Sequence, residues 1–121
     1  MKVNPYLCFN GNCAEAVVLY EKAFKVKAVM ELNEENLVGH AEFKIGDDDI
    51  MLFDAPQPIN VGDNIMISVR FDEADLEKAT ATFDALAEEG QVIMPLAETD
   101  WSKCFGLLVD KFGIQWNLCQ R

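Results

Sequence analysis

His40 and Glu42 are the pair in this 121-residue chain whose types and spacing best suit proton transfer. Imidazole is the side chain that titrates near neutrality, and a carboxylate is a common companion in moving a proton. Two positions apart on an extended segment, both side chains leave the same side of a strand. Asp54 lies one residue beyond the next expected strand. With His40 and Glu42 it would complete a facial His-carboxylate set for a divalent ion. The chain has a single histidine, so that set is short of the convergent donors a metal site uses. The four cysteines, Cys8, Cys13, Cys104 and Cys119, contain no C-x-x-C spacing, which argues against a zinc ribbon or a redox dithiol. Cys8 falls on an expected strand and Cys119 directly follows one, and the two form a second ligand option. Free cysteines are more commonly small buried apolar residues. Asp47-Asp48-Asp49 lacks the alternating donors and central glycine of a calcium loop and reads as a turn. No serine or cysteine sits in a Gly-x-Ser-x-Gly elbow, so nucleophilic catalysis by those residues has no support.

The elements that must position these residues repeat. Residues 5–9 alternate and carry aromatics, as a short strand does. Asn12 and Glu15 fit a capping box ahead of the helical stripe Ala16, Leu19, Tyr20, Ala23 and Phe24. Strands are expected at 28–32, 41–45 and 50–53, separated by Asn33-Glu34-Glu35-Asn36 and Gly46-Asp47-Asp48-Asp49. Pro56-Gln57-Pro58 marks a linker. A strand over 64–71 then leads to Asp72, placed to cap a helix with the stripe Leu76, Ala79, Phe83, Leu86 and Ala87, which Gly90 ends. Strands at 92–96, 105–109 and 114–118 complete a second β-α-β-β-β unit. An offset of 64 lays 40–45 over 104–109 and Ile50 over Ile114. The first strands match nearer 60, a difference assigned to a longer second helix. The expectation is an α+β chain, one domain over 1–121, with module one at about 1–55, a linker at about 56–62 and module two at about 63–121.

Charge and composition narrow the partners. Ten basic against 21 acidic residues give a net charge of −11, which repels phosphate backbones and anionic lipid and draws in cations. Nucleic acid and membrane surfaces are therefore not expected partners. No segment approaches the roughly 20 apolar residues of a membrane span. The run Tyr6-Leu7-Cys8-Phe9 is too short for a signal peptide's apolar region, so a cytoplasmic location is expected.

Three stretches carry a resemblance. Asn4-Pro5-Tyr6-Leu7-x-Phe9-x-Gly11-Asn12-Cys13-x-Glu15-Ala16 with Tyr20 resembles the opening of PhnB-like proteins. His40-Ala41-Glu42-Phe43-Lys44-Ile45-Gly46-Asp47, then Ile50-Met51-Leu52-x-Asp54-Ala55, is similar to the middle of that family. Met94-Pro95-Leu96-x-x-Thr99-x-Trp101 and Gly106-x-x-x-Asp110-Lys111-Phe112-Gly113-Ile114-x-Trp116 resemble its ending. The resemblance implies the vicinal oxygen chelate superfamily of glyoxalase I, fosfomycin- and bleomycin-resistance proteins and extradiol dioxygenases. It also implies two β-α-β-β-β modules with mixed sheets curled around a ligand cavity, and a homodimer. Exposed edges of two four-stranded sheets agree with association. Relatives often carry a ubiquinone-methyltransferase label, yet this chain has no Gly-rich strand-to-helix loop to hold a nucleoside cofactor.

The superfamily's metal ligands come from the first and last strands of each module. Carried across, those positions fall near Pro5 or Tyr6, at Phe53, between Ile65 and Ser68, and at Asn117, where no His, Asp or Glu stands. The resemblance therefore implies a chain without the inherited metal and without a cofactor, the alternative being a divalent ion at His40, Glu42 and Asp54. It places Tyr6, Phe53, Trp101, Phe105 and Trp116 around the cavity, with Asn117 beside them, as the lining for a small, cationic or aromatic ligand. His40 and Glu42 remain the catalytic candidates. Two functions follow: a small-molecule-binding protein, or a metal-dependent lyase, isomerase or dioxygenase-like enzyme.

Overall fold

A computed structural model describes residues 1–120, and the chain divides into two compact units, Met1–Asn60 and Val61–Arg121. The first unit runs β1 (Tyr6–Phe9), α1 (Cys13–Phe24), β2 (Val29–Leu32), β3 (Val38–Ile45) and β4 (Asp48–Asp54). Its strands lie in the order β1-β4-β3-β2, with β1 parallel to β4 and the other pairs antiparallel. Strand alternation divides the sheet into two faces. Leu7, Phe9, Ala41, Phe43, Ile50 and Leu52 lie on the side covered by α1, where Phe43 meets Tyr20 and Phe24 at ring distances of 5.9 and 6.0 Å. The stripe Ala16, Leu19, Tyr20 and Ala23 is buried, as the helical period requires.

The cap of α1 differs from the sequence expectation. Asn12 occupies the N-cap position, yet its side chain makes no capping bond. Asp54, from the end of β4, does that work: its Oδ1 accepts from the Cys13 N–H and its Oδ2 from the Val38 N–H, both at 2.9 Å. The second bond fixes the start of β3, which begins three residues before the expected strand.

The second unit runs β5 (Ile67–Phe71), a 3-10 turn (Glu73–Lys78), α2 (Ala79–Ala87), β6 (Gln91–Ala97), β7 (Phe105–Val109) and β8 (Gln115–Gln120), in the sheet order β5-β8-β7-β6. Asp72 caps as expected, accepting from the Asp75 N–H, but what it opens is the 3-10 turn. The α-helix behind it has 9 residues against 12 in α1, so the second helix is the shorter one, and the extra length lies in the turn. Pro95 is accommodated because β6 is an edge strand with irregular pairing between Met94 and Ala97.

The offset of 64 also needs correction. It lays helix-facing Ala41 over Phe105, whereas in β7 it is Gly106 and Leu108 that face α2. The cause is the hairpin loops: Ile45 pairs with Asp48 across two residues, Val109 with Gln115 across five. Gly106 is required by close packing. A Cβ there would stand 2.7 Å from the Phe83 ring and 3.0 Å from the Leu96 backbone. Gly106→Ala is expected to cost about 1–3 kcal/mol as overpacking, read as a lower urea midpoint. An unchanged midpoint would show that β6 and Phe83 yield freely.

Candidate functional site

The faces not covered by the helices carry the candidate residues. In the first unit β1 supplies Tyr6 and Cys8, β4 supplies Met51 and Phe53, β3 supplies His40, Glu42 and Lys44, and β2 supplies Val29 and Glu31. Tyr6 and His40 stand on strands flanking β4, and their side chains meet above it. The Tyr6 hydroxyl lies 3.3 Å from His40 Nδ1, and the Tyr6 ring meets Phe53 edge-on at 4.9 Å. On its other side His40 Nε2 lies 3.8 Å from Glu42 Oε1. Carboxylate, imidazole and phenol thus form one line, with Phe53 steadying the phenol. Tyr6 is 51% exposed, so a solute can reach it.

Asp54 is not part of this line. It lies on the α1 side of the sheet, and both its oxygens are taken by backbone N–H groups, so the sheet separates it from His40 and Glu42. Among the described residues no group of three or more His, Cys, Asp or Glu is placed to hold a metal. The His40, Glu42, Asp54 set is thus not assembled, because Asp54 is consumed in joining α1 to β3.

In the second unit the uncovered face carries Ser68, Leu107, Phe105, Asn117 and Cys119. The Ser68 hydroxyl donates to Asn117 Oδ1 at 2.7 Å and lies 3.8 Å from Cys119 Sγ, while Asn117 Nδ2 donates to the Gly106 carbonyl at 3.1 Å. Asn117 is thereby held as a fixed polar group between strands. Trp101 is 66% exposed and meets Phe105 edge-on at 5.6 Å. Trp116 departs from the expected lining. One residue from Asn117 on a strand, it points to the opposite side, is fully buried, and donates its indole N–H to Asp110 Oδ2 at 2.9 Å. It is a core residue.

Two of the four thiols, Cys13 and Cys104, are poor nucleophiles. Burial, with the Asp54 carboxylate and Cys8 nearby, pushes the Cys13 thiol up to about 12. Burial, then Cys119, raises that of Cys104. Both stay protonated and unreactive near neutrality. A groove of about 590 Å³ lies at the β2 side of the first unit, lined by Val26, Lys27, Val29, Glu42, Phe43, Lys44 and Asp49. It shares Glu42 with the His40 line but none of the expected aromatic lining.

The contact of Tyr6 with His40 was not legible in the sequence, which assigned the two to separate roles. Period-two alternation puts each on an uncovered face, but only the β1–β4 register brings them together. Glu31, opposite His40 on β2, was missed for the same reason.

Two four-stranded mixed sheets, each with one α-helix in β-α-β-β-β order, define the glyoxalase/bleomycin-resistance fold of the vicinal oxygen chelate superfamily. A glyoxalase-related enzyme from Fulvimarina pelagi shares the fold, with a TM-score of 0.72 at 13% identity over 100% of this chain and 88% of that one. Within that class residues 1–119 match the family described as 3-demethylubiquinone-9 3-methyltransferase, and the chain belongs to that family, whose members include PhnB-like proteins. It is similar to protein PA1353 from Pseudomonas aeruginosa, with 31% identity and a TM-score of 0.86 over 100% of this chain and 98% of that one. It is also similar to a PhnB protein from Bacillus cereus, with 28% identity and a TM-score of 0.84 over the whole of both chains. No helix of the described residues is long and apolar enough to cross a membrane.

Proposed function

We propose that this PhnB-like protein binds a small aromatic or cationic molecule on the uncovered face of its first sheet. The observation that carries the reading is the Tyr6–Phe53 aromatic corner, set beside the His40–Glu42 pair and open to solvent. Aromatic faces attract cations and Glu42 and Glu31 supply negative charge, while the net charge of −11 raises the local concentration of such solutes. Methyl transfer from a nucleotide-type donor has no comparable support. The N-terminus of α1, where a phosphate would dock, is filled by the Asp54 carboxylate. The reading keeps the chain a single functional domain that pairs with a second copy. Exposed apolar edge residues, Val29, Met30 and Leu32 on β2 and Val92, Ile93 and Met94 on β6, support that association.

Titration with benzyltrimethylammonium, followed by amide chemical shifts, tests the binding. Shifts are expected to cluster on residues 6–8, 40–42 and 51–53. Tyr6→Ala should weaken the interaction by about fivefold, the size of an exposed cation–π contact, with Phe53→Ala acting in the same direction. Shifts scattered over the acidic surface, unchanged in both variants, would refute the reading.

A further inference from the structure

The line Glu42–His40–Tyr6 has the order of parts that activates a hydroxyl nucleophile: a carboxylate 3.8 Å from one imidazole nitrogen, at ion-pair distance, and the hydroxyl 3.3 Å from the other. We propose that Tyr6 is a nucleophile toward activated acyl esters, with His40 as the base that takes its proton and Glu42 as the residue that positions His40. Three features of the fold favour it. The three side chains come from β1 and β3, with Tyr6 and His40 meeting above β4 and Glu42 beside His40 on β3, so each is anchored on a strand. Phe53 abuts the Tyr6 ring at 4.9 Å and limits its swing. Tyr6 is 51% exposed, so a substrate can approach the residue from solvent.

The step balances within the chain and its substrate. A bond forms between Tyr6 Oη and the acyl carbon, and the phenolic proton passes to His40 Nδ1. As the bond to the leaving oxygen breaks, that oxygen takes the proton from the imidazolium. Water then releases the acid, with His40 again acting as base. The assignment requires His40 to carry its neutral-state proton on Nε2, toward Glu42, leaving Nδ1 free to accept.

The inference deepens the binding reading, because Tyr6 is also the residue on which that ligand would rest. Its test needs no ligand. A benzenesulfonyl fluoride stands in for the acyl ester: the Oη–S bond forms, the S–F bond breaks, fluoride leaves to water, and the tyrosyl sulfonate persists for mass mapping. The chain has two tyrosines, and Tyr20 is fully buried, so it serves as the internal control. Tyr6 is expected to be modified first, and His40→Gln to slow its modification about 100-fold, at the low end of what a general base contributes. Glu42→Gln should also slow it, with Glu42→Asp restoring part of the rate. Equal rates in the wild type and in His40→Gln, or modification confined to lysines, would overturn the proposal. A second measurement does not depend on the variants folding. The single histidine gives one pair of ring ¹⁵N signals, and in the wild type Nδ1 must be the unprotonated nitrogen of the neutral ring. A proton on Nδ1 overturns the assignment. Modification of Tyr6 without benzyltrimethylammonium binding defeats only the binding reading, and the converse defeats only this one.

Discussion

Asp54→Ala is expected to destabilise the protein by about 3–5 kcal/mol, a large share of what a domain of this size possesses. The carboxylate sits buried between α1 and the β3–β4 hairpin and takes the Cys13 N–H with one oxygen and the Val38 N–H with the other. Removing it strands two buried donors, at about 1–3 kcal/mol each. It also removes the negative charge at the helix N-terminus, where charge and dipole attract. No local group is placed to substitute, because Asn12 makes no side-chain cap. Asp54→Asn keeps one acceptor oxygen but turns an N–H₂ toward the other donor, so it should recover only part of the loss. Urea unfolding gives the size of the effect, and hydrogen exchange gives its place: the amides of Cys13 and Val38 should lose protection ahead of those in the middle of β4. A loss below about 1 kcal/mol would mean that water or a neighbouring group satisfies both amides, and that Asp54 is free for another role.

That example marks where the sequence stops being legible. Elements came through because they are written locally. The Ala16–Phe24 stripe has the helical period, and two sets of turn residues punctuate three strands after each helix. The β-α-β-β-β order followed twice, and so did the family, since its motifs are short and continuous. Asp54 looked like a metal ligand because a carboxylate just past a strand advertises an acceptor but does not say which donors it meets. Its partners lie 41 and 16 residues away. Trp116 looked like a cavity wall for a related reason: one residue of register decides which side of a sheet a side chain faces. The longer second hairpin shifts that register relative to the first. His40 with Glu42 was readable because both lie on one strand. Tyr6 beside them was not, since the contact spans β4 and 34 residues.

Asp110 carries an equal weight in the second unit, and Asp110→Ala is expected to cost about 3–5 kcal/mol. The side chain is buried at the start of the β7–β8 loop. Its Oδ1 accepts from the Phe112 and Ile114 N–H groups at 2.9 and 3.1 Å, and its Oδ2 from the Trp116 indole at 2.9 Å. One carboxylate therefore sets the path of a five-residue loop and orients the largest fully buried side chain of the chain. The loop and core contributions can be separated. Trp116→Phe removes the indole donor and keeps an aromatic ring, so it tests Oδ2 alone. Asp110→Asn presents an N–H₂ to whichever donor loses its oxygen. A double-mutant cycle between the two should show a coupling of about 1.5–3 kcal/mol, the range of a hydrogen bond to a charged group. Indole exchange supplies a local reading, with Trp101, 66% exposed, as the fast internal standard. The Trp116 N–H should exchange slowly in the wild type and approach the Trp101 rate in Asp110→Ala. If the coupling is near zero and exchange stays slow, the core holds Trp116 unaided. The carboxylate then acts on the loop alone, through the two amides that Oδ1 accepts.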